Sequence, residues 1–125
     1  MVAALGKYLG IAGAQVGLVT PLYRGLLEQY EGIKKTERVI DVTMGTRIER
    51  GTIYEYQPSE NFTLYFVEHV HFFQRTGIYG EHSHDYPDNA ERFLFLTKVL
   101  LQLTTELPWR PEIVHVHDWP VAMYP

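Results

Sequence analysis

The sequence predicts an α/β domain built on a mainly parallel sheet, and two observations carry that expectation. Helix, strand, small β insertion, strand, helix and strand follow one another along the chain. The strand-like runs are short, rich in β-branched and aromatic residues, and bounded by Gly or Pro. With 125 residues, 46 % of them apolar and 21 % charged, the composition suits one globular domain. No internal repeat and no Gly/Ser linker divides it.

Val2, Leu5, Tyr8, Leu9 and Ala12 recur at helical spacing, so the chain should open with an amphipathic helix ending near Gly13. No Ser, Thr, Asp or Asn precedes it as a cap, which suits a frayed end or a longer helix entered midway. Residues 15–20 read as a short, largely buried strand stopped by Pro21. A loop with one helical turn should cover 22–30. Runs at 39–43 and 52–57, separated by Gly45 and Gly51, form the insertion, and 62–68 is a further strand. Residues 70–86 show no period and read as a long ordered loop, a feature often tied to function. A helix follows over about 89–107, with Asp88 and Glu91 placed as a D-x-x-E capping box and Pro108 and Pro111 ending it. Residues 113–117 (IVHVH) read as a buried strand that turns at Asp118.

Net charge is −4 with a pI near 5.8, so no broad basic field is available for a nucleic-acid backbone. The chain has 0 cysteines, which removes disulfides and thiolate metal sites. The longest helical apolar stretch, 93–107, is interrupted by Thr97, Lys98, Gln102 and Glu106 and cannot span a bilayer. No signal-peptide pattern opens the chain, so a soluble domain is expected. No Walker or dinucleotide glycine loop and no GxSxG elbow is present. Gly10 and Gly13 fall at a helix end rather than after a strand. Met1, Met44 and Met123 read as packing residues. Tyr54, Tyr56, Tyr65, Phe66, Phe72 and Phe73 read mainly as core, with a sugar-stacking platform among them as the alternative.

All 6 histidines lie in H-x-H pairs: His69/His71, His82/His84 and His115/His117. On a strand, residues two apart share a face, as in several metal sites, and Asp85 or Asp118 could complete one. Structural roles are the stronger expectation. His117 and Asp118 stand where a strand gives way to a connection, the place at which open parallel sheets bind ligands. Asp118 could equally cap a helix starting at Trp119, with Pro120 tolerated in its first turn. Tyr86, Pro87, Asp88 and Asn89 form a stiff turn leading into the long helix, whose free N–H groups suit anions or sugar hydroxyls.

The strings GIYGEHSHDYPDNAERF (77–93) and WRPEIVHVHDW (109–119) resemble the bacterial glycogen synthase and plant starch synthase family. LVTPLYRG (18–25) and FFQRTGIYG (72–80) are similar to further family segments, and the likeness runs nearly collinearly from residue 2 to 125. The resemblance implies a GT-B glycosyltransferase, with two Rossmann-like domains and an active site between them. Such enzymes move glucose from ADP-glucose, in some cases UDP-glucose, to the non-reducing end of an α-1,4-glucan with retention and without a metal or other cofactor. It places Asp118, the acid of the HDW triplet, beside the transferred glucose as a catalytic residue, with its neighbour His117 carried over more weakly. Asp88 and Asn89, with Tyr86 before them, would order the substrate-binding wall of the cleft. Pro120 departs from the family's usual His, Gln or Ser.

Family chains open with a strand and a K-x-G-G-L loop that holds the nucleotide phosphates, and continue into a second domain that stabilises the leaving group. The expectation for 1–125 is therefore a partial N-terminal, acceptor-side domain that starts just after that loop and stops soon after HDW. Alone it should be inactive and tend to self-associate through an unpaired sheet edge. Its expected location is the bacterial cytoplasm, or a plastid for a plant chain. A histidine-pair metal-binding module and a non-catalytic glucan-binding domain are the alternatives.

Overall fold

The computed structural model describes residues 2–123. Its centre is a four-stranded sheet in the order β1 (Val16–Pro21), β4 (Phe62–Glu68), β3 (Arg47–Ser59), β2 (Lys34–Met44). β1 runs parallel to β4, while β4–β3 and β3–β2 are antiparallel. The α/β class is as expected, but the sheet is mixed because the insertion is longer than its apolar runs suggested. β2 and β3 reach 11 and 13 residues, since backbone pairing carries both strands through charged positions such as Lys34, Arg47 and Glu49. Gly51 is part of β3 rather than a break. A Cβ there would come within 3.1 Å of Val67 and 3.2 Å of Phe95, so the bare backbone lets the helix above approach closely.

Alternation along β4 sorts its residues between two faces. Tyr65 and Val67 join Ile40, Val42, Met44 and Ile53 beneath Phe95, Val99 and Leu103 of α4 (Asn89–Glu106), together with Phe72 and Phe73 of α3 (Val70–Phe73). Phe66 lies in a smaller cluster on the other face with Leu22, Ile33 and Tyr54, against which Leu26 of α2 (Leu26–Gln29) packs. Phe62, on that same side, meets α1 (Val2–Ile11).

Helix α1 does not use its large side chains as the sequence suggested. Leu5, Tyr8 and Leu9 are exposed, and the buried positions are Gly6 and Gly10. A Cβ at Gly6 would sit 2.7 Å from the Phe62 ring, so the helix docks through its glycine face. The expected uncapped start at Met1 lies outside the described residues.

The loop expected over 70–86 holds α3 and a two-stranded hairpin, β5 (Gly80–Glu81) and β6 (His84–Asp85). His82 and Ser83 form its two-residue tip, both with positive φ (52° and 64°), the backbone that a tight hairpin turn demands and that non-glycine residues adopt at a cost.

Residues 113–117 differ most from expectation. They pair with no strand and are not buried, Ile113 being 83 % exposed and His115 exposed as well. The β-branched pattern supplies a strand's side chains, but a strand also needs a neighbouring backbone, and none lies within hydrogen-bond reach among the described residues. No helix among the described residues is long and apolar enough to cross a membrane.

Candidate functional site

The two sequence motifs meet at one end of the sheet. Chain leaving β1 turns at Leu22, whose carbonyl accepts from Gln74 Nε2 at 3.1 Å, which ties the 74–89 loop to that end. Tyr23 packs edge-on to Phe73, and its burial, the largest cause, pushes the phenol up to about 12. The start of α4 and the 3-10 turn Trp119–Val121 close the same corner.

Asp88 does not cap α4 with its side chain, nor does the expected capping box form. Arg75 takes both carboxylate oxygens, Nη1 to Oδ1 and Nη2 to Oδ2 at 2.7 Å each, while Glu91 pairs with Arg47. A rigid guanidinium fork matches a carboxylate better than two divergent backbone N–H groups can. Hydrogen bonding from Arg75 holds the Asp88 carboxyl below the usual carboxylate range, and Asp88 in turn raises Arg75.

Asn89 donates Nδ2–H to the Tyr79 carbonyl at 2.8 Å and accepts at Oδ1 from Arg92 Nη1 at 2.6 Å. The Tyr86 hydroxyl accepts from Gly77 N–H at 3.2 Å. Its ring lies between two guanidinium groups, Arg75 at 4.7 Å and Arg92 at 5.0 Å from the centroid. The side chains of Tyr86, Asp88 and Asn89 are therefore tied within the wall itself.

Arg92 is the hub of that wall and was not singled out in the sequence. It is fully buried, with Nε donating to Phe72 O at 2.7 Å and Nη1 also to Ile78 O at 2.9 Å. Nη2 has no partner, and burial lowers the pKa of the guanidinium. Its position within the D-N-x-x-R run, on the helix face that holds Phe93 and Leu96, was the available signal.

Asp118 is exposed and accepts from Trp119 N–H at 2.7 Å, the capping role expected of it. Its backbone, φ 66° and ψ 178°, lies in a region otherwise almost reserved for glycine. Trp119 packs at a tilt of 41° on Tyr79 with centroids 5.3 Å apart and meets Phe93 edge-on at 5.1 Å. Tyr79 and Trp119 remain 42 % and 50 % exposed, leaving aromatic surface beside the Asp118 carboxylate. The expected core aromatics are indeed buried, apart from half-buried Tyr56, so the open rings at this corner are two the sequence reading did not select.

The three histidine pairs lie in different surroundings. His69 is held by Glu49 at 2.6 Å and by the Phe72 N–H, His82 and His84 sit on the hairpin, and the His115 and His117 rings lie 4.2 Å apart. Among the described residues no group of three or more His, Cys, Asp or Glu side chains is placed to hold a metal.

This mixed α/β sheet has counterparts among starch and glycogen synthases. The starch synthase catalytic domain model matches residues 1–125, and the chain belongs to that family. It is 35 % identical over 98 % of its length to the glycogen synthase of Geotalea daltonii, covering 25 % of that protein. It is 40 % identical over 98 % of its length to the glycogen synthase of an Anaeromyxobacter species, covering 24 %. The structure superimposes with a TM-score of 0.75 and 25 % identity on the catalytic domain of starch synthase IV from Arabidopsis thaliana, solved with ADP and acarbose, over 98 % of this chain and 24 % of that one. The chain thus spans about a quarter of the relatives it matches.

Proposed function

We propose that residues 1–125 form part of the N-terminal, acceptor-side domain of a retaining glucosyltransferase of the glycogen and starch synthase type. In this reading the K-x-G-G-L strand and loop and the whole C-terminal domain belong outside the sequence. The donor is ADP-glucose, with UDP-glucose as the variant, and the acceptor is the non-reducing end of an α-1,4-glucan. Location follows the source, cytoplasm for a bacterial chain and plastid for a plant one. The convergence of Asp118 and Trp119 with the Tyr79 end of the 77–89 wall carries the reading.

Asp118 offers a carboxylate to the positive charge that develops at an anomeric carbon as the nucleotide leaves. His117, half-buried one residue earlier, is the second and weaker catalytic candidate. Tyr86, Asp88 and Asn89 hold the wall and Tyr79 in place. Apolar ring faces beside a carboxylate suit a sugar, whose C–H face stacks while its hydroxyls bond. The negative charge of the leaving nucleotide needs cationic partners from the second domain, and transfer needs both walls of a cleft.

Transfer of labelled glucose from ADP-glucose to glycogen, with EDTA present, tests this for the chain and for Asp118→Ala. Background signal from both is expected. Transfer that disappears in Asp118→Ala would show the 125 residues to be sufficient and overturn the divided-cleft account.

A further inference from the structure

Helix α3 has four residues and one side-chain cap, and that cap is His69. Its Nδ1 accepts from Phe72 N–H at 3.3 Å, while Nε2 lies 2.6 Å from Glu49 Oε2 on β3. A ring nitrogen that accepts an N–H carries no proton, so the neutral ring is the Nε2–H tautomer and donates to Glu49. Stacking on Phe72, with centroids 4.1 Å apart at 17°, and edge-on contact with Phe95 at 4.9 Å hold the ring between α3 and α4.

The cap matters because the carbonyls of α3 support the 74–89 wall. His71 O accepts from Arg75 Nε at 2.9 Å and Phe72 O from Arg92 Nε at 2.7 Å, the two guanidinium groups on either side of Tyr86. Arg75 continues to Asp88, and Arg92 to Ile78 O and Asn89 Oδ1, while Asn89 grips the carbonyl of Tyr79. One chain of hydrogen bonds therefore runs from Glu49 through His69 and α3 to the backbone that carries the Tyr79 ring. A helix of one turn gains little from its own ladder, so loss of the cap frees both carbonyls to move.

Charged groups around His69 are few. Glu49 reaches the ring with Oε2 and Arg47 with Oε1, at 3.7 Å, and Arg47 is also paired with Glu91 at the start of α4. Arg92 of α4 is held at the far side of Phe72 by its carbonyl. Along the chain, Glu68 accepts from the Tyr54 hydroxyl at 3.0 Å, and His71 is exposed. A second ring proton on His69 must go to Nδ1, where it meets a donor rather than an acceptor. The bond to Glu49 then becomes charge-assisted and is the stronger of the two, so a protonated ring keeps Glu49 and gives up the cap.

We propose that His69 is a positioning residue for the sugar-facing wall: its neutral form holds Tyr79 in place, and protonation releases it. Glucan retention then falls as the solution is acidified through the range in which imidazoles take up a proton. The proposal rests on the acceptor-side reading for its ligand, but not for the link between cap and wall.

Amide exchange at Phe72 and Tyr86, read as protection factors, and glycogen affinity electrophoresis test this on wild type, His69→Asn and His69→Leu. Tyr86 N–H reports on the wall because it donates to Tyr79 O at 2.9 Å. Asparagine keeps a side-chain oxygen for the Phe72 N–H but takes up no proton, whereas leucine offers no cap. Between about pH 8 and about pH 5, wild-type protection at both amides should fall about tenfold, the scale of a lost cap, and glycogen retardation should fall with it. Asp88 keeps its charge over that span, because Arg75 holds its carboxyl below the usual carboxylate range. His69→Asn should retain protection and retardation at both pH values, and His69→Leu should lack them at both with a wild-type circular dichroism spectrum. Wild-type protection or retardation that persists at about pH 5, an equal fall in His69→Asn, or a loss at Phe72 that leaves Tyr86 protected overturns the proposal. Absence of retardation from wild type at about pH 8, with the exchange pattern as expected, overturns the glucan reading and leaves the link from His69 to the wall standing.

Discussion

At Asp118 a side chain that caps a turn sits on a backbone that disfavours it. Conformations of this kind cost about 1–3 kcal/mol in non-glycine residues and persist where the surroundings hold them. Asp118→Gly should therefore raise stability by about 1 kcal/mol in a thermal or urea melt, since glycine loses only a few tenths as a cap. A destabilised variant would show that the carboxylate outweighs the backbone strain. Asp88 presents the opposite case, a carboxylate fully engaged by Arg75. Its lowered pKa means that the pair stabilises the fold above the ordinary carboxylate value and that the gain is lost as pH falls through the lowered one. Asp88→Asn should cost about 1.5–3 kcal/mol near neutrality, and the gap to wild type should close below about pH 4 in urea titrations. A pH-independent gap would contradict the ion-pair assignment.

Among the elements, those with a strong local code were legible. β4 was placed at 62–68 by its continuous apolar and aromatic run, and α4 by the acidic pair at its start and the prolines that follow it. The face of α1 was not, because close approach through Gly6 and Gly10 outweighs the larger area of Leu5 and Leu9, and glycine leaves no mark on a hydrophobic period. The 113–117 segment failed for a different reason: strand pattern is local, whereas strand pairing belongs to the neighbour. In the 74–89 wall, Arg92 replaces the charge partner a buried guanidinium usually has with carbonyls, an amide and aromatic rings. Arg92→Lys keeps the charge but loses the fork, and should cost about 2–4 kcal/mol in urea melts. A loss below 0.5 kcal/mol, the scale of an ordinary surface change, would remove Arg92 from its place as hub. At Gly77 a Cβ would collide with the Gly80 carbonyl oxygen, so the hairpin that carries His82 and Ser83 depends on that bare backbone.

Across the molecule, the motifs that carried the family resemblance converge in space, but not as a set of open polar groups. Tyr86, Asp88 and Asn89 face inward to hold the wall, and the exposed chemistry is Tyr79, Trp119 and Asp118. Sequence spacing identified the motif positions. Which of their side chains point outward depended on partners such as Arg75, which lies 13 residues from Asp88 and outside the helix it serves. In the proposed reading this wall holds the acceptor and the donor binds from the opposite side.

Glycogen affinity electrophoresis tests that acceptor-side role most directly, because it needs no turnover and no second domain. The account predicts that glycogen in the gel retards the wild-type chain. Tyr79→Ala and Trp119→Ala should lose most of that retardation while keeping a wild-type circular dichroism spectrum, and Ile48→Lys should keep it. Wild-type mobility unchanged by glycogen, or equal retardation of all variants, would contradict the assignment of this surface to the glucan.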